Sequence, residues 1–90
     1  MASLGERKAY REKIMQVLYE ASEGNRLLGI TGAKLRDDLG IPDEDVAAAC
    51  TYLVGEGLIT VDWATGNTPA MVTLTHQGIL LMEAKEEKQG

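Results

Sequence analysis

Tyr52-Leu53-Val54-Gly55-Glu56-Gly57-Leu58-Ile59 is where this chain changes from one kind of secondary structure to another. Ahead of it, Val46, Cys50 and Leu53 recur four and three residues apart, which sets them on one buried stripe of a helix, with Ala49 beside it. Gly57 supplies the residue that ends such a helix, and Leu58 the apolar partner of a glycine cap. Behind it, Leu58-Ile59-Thr60-Val61-Asp62-Trp63 is rich in β-branched residues and predicts a strand. Ala64-Thr65-Gly66-Asn67-Thr68-Pro69 is turn chemistry, and Met71-Val72-Thr73-Leu74 predicts the returning strand of a hairpin with a loop over 64–69.

Further along the chain, Thr75 predicts the cap of a last helix through Ile79, Leu80, Leu81 and Met82 toward Lys85, with Lys88-Gln89-Gly90 fraying. Four consecutive apolar residues point all round a helix axis, so one domain does not bury them all, and the remainder needs a second surface. Toward the N-terminus, Ile41-Pro42 opens the central helix with Pro in its first turn, followed by Asp43, Glu44 and Asp45 at the positive end of the helix dipole. Thr31 predicts the cap of a shorter helix carrying Ala33, Leu35 and Leu39, which Gly40 ends. Leu27-Leu28-Gly29-Ile30 predicts a brief strand or extended link. Ser3-Leu4-Gly5-Glu6 has the form of a capping box, and Tyr10, Ile14, Val17, Leu18 and Ala21 follow at helical spacing over about residues 5–22, with Gly24-Asn25 as the stop.

Ninety residues make one small unit, expected to be ordered from about 5 to 86, with Leu, Ile, Val, Met and Ala forming the core in the absence of Phe. A single cysteine, Cys50, excludes an internal disulfide and a Cys-rich zinc site, and its place on the helix stripe makes it a buried small hydrophobe. No stretch approaches a membrane span and the N-terminus lacks the apolar run of a signal peptide, so a cytoplasmic protein is expected. His76 has no spaced nucleophile, the scattered glycines form no phosphate loop, and no paired-carboxylate pattern stands out; no catalysis and no cofactor are expected. The acidic group Asp37, Asp38, Asp43, Glu44 and Asp45 lacks the alternating ligands and central Gly of a calcium loop, so helix-start electrostatics explain it without a metal. Trp63 is expected to pack against Met71 or Val72 rather than to stack on a base.

The order helix, strand, helix, helix, hairpin, helix resembles an α+β winged helix-turn-helix domain: a three-helix core, a two-stranded wing and a C-terminal helix. The resemblance runs over about residues 7–84. It is carried by Thr31 to Leu39 with Gly40-Ile41, by Tyr52 to Ile59, and by Leu74-Thr75-His76-Gln77-Gly78 with Glu83 beyond, which is similar to the start of the last helix in small MarR- and PadR-like prokaryotic regulators. The resemblance implies a third helix in the DNA major groove and a wing over a neighbouring groove.

Charge placement opposes that implication. Net charge is −5, and between Arg36 and Lys85 there is neither lysine nor arginine. Phosphate binding rests on cations. The outward positions of the third helix carry Glu44, Asp45, Ala47, Ala48 and Thr51 instead. The expectation is therefore a non-catalytic module acting mainly through protein contact, as a homodimer or in a regulatory complex, using Asp43, Glu44, Ala47, Ala48 and Thr51 with Leu81 and Met82. The alternative is a DNA-binding transcriptional regulator, weak or dimeric, using Arg7, Lys8, Arg11, Arg26, Lys34, Arg36, Thr51 and Asn67.

Overall fold

The computed structural model describes residues 3–22, 29–66 and 68–89. Helix α1 (Leu4–Ser22) is followed by strand β1 (Ile30–Thr31), helix α2 (Gly32–Leu39), helix α3 (Asp43–Gly55), strands β2 (Ile59–Ala64) and β3 (Thr68–Leu74), and helix α4 (His76–Gln89). The predicted capping box closes both ways: Ser3 donates its N–H to Glu6 Oε1 at 3.1 Å, and Glu6 donates its N–H to Ser3 Oγ at 3.2 Å. Thr31 caps α2, its Oγ1 accepting from Lys34 N–H at 3.2 Å. Gly40, at φ 65°, ends α2 in the left-handed region and donates to Arg36 O at 2.8 Å. The predicted stop at Gly24-Asn25 lies outside the described residues, as do Leu27 and Leu28.

The step from α3 to β2 is a Schellman cap. Leu58 N–H reaches back to Leu53 O at 3.0 Å and Gly57 N–H to Val54 O at 2.9 Å, with Gly57 at φ 73°. At the other end of α3, Pro42 is the cap residue itself rather than a member of the first turn; its backbone is extended and its side chain offers no hydrogen bond. The three carboxylates of the first turn stand where the dipole favours them.

The sheet is antiparallel in the order β1-β3-β2, with Ile30 opposite Val72 and Ile59 opposite Leu74. The wing is longer than its sequence suggests. Ala64 pairs with Thr68 and Trp63 with Pro69, so the connection covers 65–67 instead of 64–69. Pro69 fits inside β3 because β1 ends its pairing at Met71, leaving that end of β3 an edge, and because the register shifts between Asp62 and Trp63. Gly32 starts α2 so close to this strand that a Cβ there would collide with the Pro69 carbonyl.

Ile14, Leu35, Cys50 and Val72 are fully enclosed and join α1, α2, α3 and β3 in one core with Leu18, Val46, Leu53 and Ile59. Each such large side chain contributes about 1.5–3 kcal/mol through burial. Helix α4 adds Ile79 and Met82 to the core and leaves Leu80 and Leu81 outside, 46% and 37% exposed. The surplus anticipated for this helix is thus Leu80 and Leu81, whereas Met82 is a core residue and leaves the expected partner-binding set. The helix also continues through Lys88 to Gln89, past the point where fraying was expected.

Thr75 ties α4 to the wing root. Its hydroxyl donates to Gly57 O at 2.6 Å and accepts from Gly78 N–H at 3.1 Å, while its own N–H reaches Leu58 O at 3.0 Å. Gly78 permits this closeness, because a Cβ would run into the Leu58 carbonyl. The Tyr19 hydroxyl donates to Glu86 Oε2 at 2.9 Å and fastens α1 to the far half of α4; that bond, more than partial burial and the charges of Glu86 and Glu83, raises the Tyr19 pKa.

Candidate nucleic-acid interface

Helix α3 buries Val46, Ala49, Cys50 and Leu53 and turns Glu44, Ala48, Thr51 and Tyr52 outward, as a period of 3.6 requires. Ala48 forms a low crest between two depressions. On the wing side, Ala47, Ala48 and Thr51 share a shallow groove of about 260 Å³ with Trp63. On the other side, Ala48, Ala49 and Tyr52 share a groove of about 470 Å³ with Arg7, Tyr10 and Arg11 of α1.

Trp63 also reaches beyond the hairpin to which it belongs. It continues the face of β2 that carries Ile59 and Val61, but it lies beyond the end of the core and meets the flank of α3, 43% exposed. The Thr51 hydroxyl turns back to donate to Ala47 O at 2.9 Å, so Thr51 presents chiefly its methyl.

The α1 side of the crest holds the residue that sequence reading missed. Arg11 lies over the Tyr52 ring, 3.8 Å from its centroid, a cation–π contact between helices. Tyr52 is half exposed, one helical turn past Ala48; that spacing alone marks it as outward-facing and was the available signal. Its pairing with Arg11, remote in sequence, had no local signature. Tyr10 lines the same groove, its pKa raised by desolvation first and then by the charges of Glu6 and Asp45.

The cations of α2 have a different setting. Lys34 Nζ sits 3.2 Å from Asp38 Oδ2. Arg36 donates from Nε to Asp37 Oδ1 at 3.2 Å and from Nη1 to Asp43 Oδ1 at 3.3 Å. These bonds, Asp37 first and Asp43 second, raise the Arg36 pKa. The acidic start of α3 thus clasps Arg36 from the neighbouring helix. Lys8 faces a third depression with Leu81 and Lys85, away from the crest. Arg26 and Asn67 lie outside the described residues.

Ala47 and Thr51 line the wing groove, Leu81 lines the depression between α1, α3 and α4, and Asp43 is paired with Arg36. Cys50 is enclosed, and desolvation pushes its thiol pKa up to about 11. Among the described residues no group of His, Cys, Asp or Glu has the arrangement of a metal site, and no helix is long and apolar enough to cross a membrane.

These features define a winged-helix domain: a helix-turn-helix with a β-hairpin wing and a closing helix. A variant of ZitR from Lactococcus lactis superposes with a TM-score of 0.67 at 22% identity, over 88% of this chain and 50% of that one. NMB1585, a MarR family regulator from Neisseria meningitidis, superposes with a TM-score of 0.56 at 22% identity, over 83% of this chain and 54% of that one. The chain thus spans about half the length of the solved proteins it resembles. No protein-family model matches the sequence, and no curated protein matches it significantly.

Proposed function

We propose that this chain is the DNA-binding winged-helix module of a transcriptional regulator. This reading reverses the preference drawn from charge along the sequence. The observation that carries it is the crest of α3: small side chains, Ala48 and Thr51, stand exposed between Arg7 and Arg11 on one side and Trp63 on the other. A helix with small outward residues enters a major groove closely, and alanine or threonine methyls suit a thymine methyl. The cations that α3 lacks come from α1. The similarity to a MarR family regulator supports the same reading.

Few open cations flank the crest, so the module binds weakly on its own and with steep salt dependence. The test is fluorescence anisotropy on random and selected duplexes at low and moderate salt. Micromolar binding that weakens with salt, and that falls in an Arg7→Ala/Arg11→Ala variant, supports the reading. Failure to bind duplex at the lowest salt removes it.

A second reading, protein contact, draws support from Leu80, Leu81 and Tyr52, which are large and exposed on a domain this small.

A further inference from the structure

The groove beside Tyr52 does not stop at α3. The depression lined by Arg7, Tyr10 and Tyr52 and the one lined by Lys8, Leu58 and Leu81 share Arg11 and Tyr52, so they adjoin as two parts of a trough along α1 with the Arg11–Tyr52 stack as the saddle between them. Its two parts measure about 470 and 210 Å³. Its apolar surface includes Leu4, Tyr52 and Leu81, 57%, 50% and 37% exposed. Its rim is basic: Arg7, Lys8, Arg11 and Lys85 outnumber Asp45 and Glu12, a local balance of +2 on a chain of net −5.

We propose that this trough, walled by α1, α3 and α4, seats an acidic amphipathic helix from a protein partner. An apolar floor with separated large contacts accepts a helix whose hydrophobes recur at three- and four-residue spacing. A basic rim on an otherwise acidic protein selects glutamates on the flanks of that helix and repels basic segments. The chain's own α4 fits poorly as occupant, because its Leu81 and Lys85 already belong to the trough and its Lys88 is turned toward Glu12 and Gln16 of α1. The inference does not depend on α3 meeting DNA, although an occupied trough covers Arg7 and Arg11 and would oppose duplex binding.

The test uses a labelled, helix-favouring peptide of roughly 16 residues, with leucines at i, i+4 and i+7 and glutamates on both flanks. Saturable anisotropy with Kd of about 10–50 µM is expected. Binding weakens about fivefold or more in Leu81→Glu and in Lys8→Glu/Lys85→Glu, and stays unchanged in Lys34→Ala/Arg36→Ala. The three wild-type controls are a lysine-flanked peptide, a leucine-to-alanine peptide and a duplex. Circular dichroism confirms that the exposed-site variants remain folded.

Equal binding of the lysine-flanked peptide overturns the proposal, as does lack of saturation below about 1 mM. A wild-type dimer that Leu81→Glu dissociates assigns the trough to self-association instead. Loss of duplex binding in Lys8→Glu/Lys85→Glu, with peptide binding intact, assigns it to nucleic acid.

Discussion

Two pairs of cations flank α3, and they differ in what holds them. At the α2–α3 corner, Lys34 and Arg36 face Asp38, Asp37 and Asp43 within 3.3 Å. Along α1, Arg7 and Arg11 face a groove, and Arg11 rests on the Tyr52 ring rather than on a carboxylate. A guanidinium over an aromatic face keeps its full charge and its N–H donors for another anion. One already bridged by two carboxylates must break those bonds first. A residue count along the chain treats the two pairs alike; their surroundings do not.

The corner is the first place to test this contrast, because its main duty is structural. Gly32→Ala forces a Cβ against the Pro69 carbonyl and is expected to lower stability by about 3 kcal/mol, read by urea denaturation. An unchanged midpoint would show that the start of α2 is not pinned to the wing.

The next effect separates the two pairs. Arg7→Ala/Arg11→Ala is expected to weaken duplex binding by about tenfold and to flatten the salt slope by ~0.9 for each phosphate no longer neutralised. Lys34→Ala/Arg36→Ala should change affinity by less than about threefold. Equal losses in both variants would erase the distinction.

A smaller effect refines it. Asp37→Asn/Asp43→Asn releases Arg36 and removes two charges that repel phosphate, so duplex affinity is expected to rise by about two- to fivefold in anisotropy titrations. Stability should fall by less than about 1 kcal/mol, since exposed pairs and dipole contacts contribute little. A drop in affinity would make the corner carboxylates participants in binding.

The smallest effect lies at the start of the α1 flank. The Ser3 backbone N–H, then its hydroxyl and Tyr10, hold the Glu6 pKa below its ordinary value of 4.5. A depressed carboxylate pKa stabilises the fold above its unfolded value, and that contribution disappears as pH falls through the lower folded value. Helicity of α1 should therefore fray as pH drops below about 4.5 in the wild type. In Ser3→Ala, fraying should already be present at pH 7, visible in amide exchange of the first turn. Identical exchange in the two proteins would deny the capping box a role.

Much of the backbone was legible because its signals are local. Ser3 with Glu6, Thr31 with Lys34 N–H, Gly57 with Leu58, and Thr75 with Gly78 N–H each act within four residues. The wing exceeds the length its turn residues predict because Pro69 signals a turn, and only the position of β1 shows that no strand pairs with β3 there. The site was less legible for a related reason. The cation-free run from 37 to 84 is real, but α1 folds alongside α3 and lends it Arg7 and Arg11. Met82 lies in the core instead of on the expected partner surface because burial on α4 follows its docking angle, which four adjacent hydrophobes do not specify.

One hydroxyl, that of Thr75, is shared between the end of α3 and the first turn of α4. The root of the hairpin and the entry to the closing helix therefore share one fastening, and whatever removes that hydroxyl unties both at once.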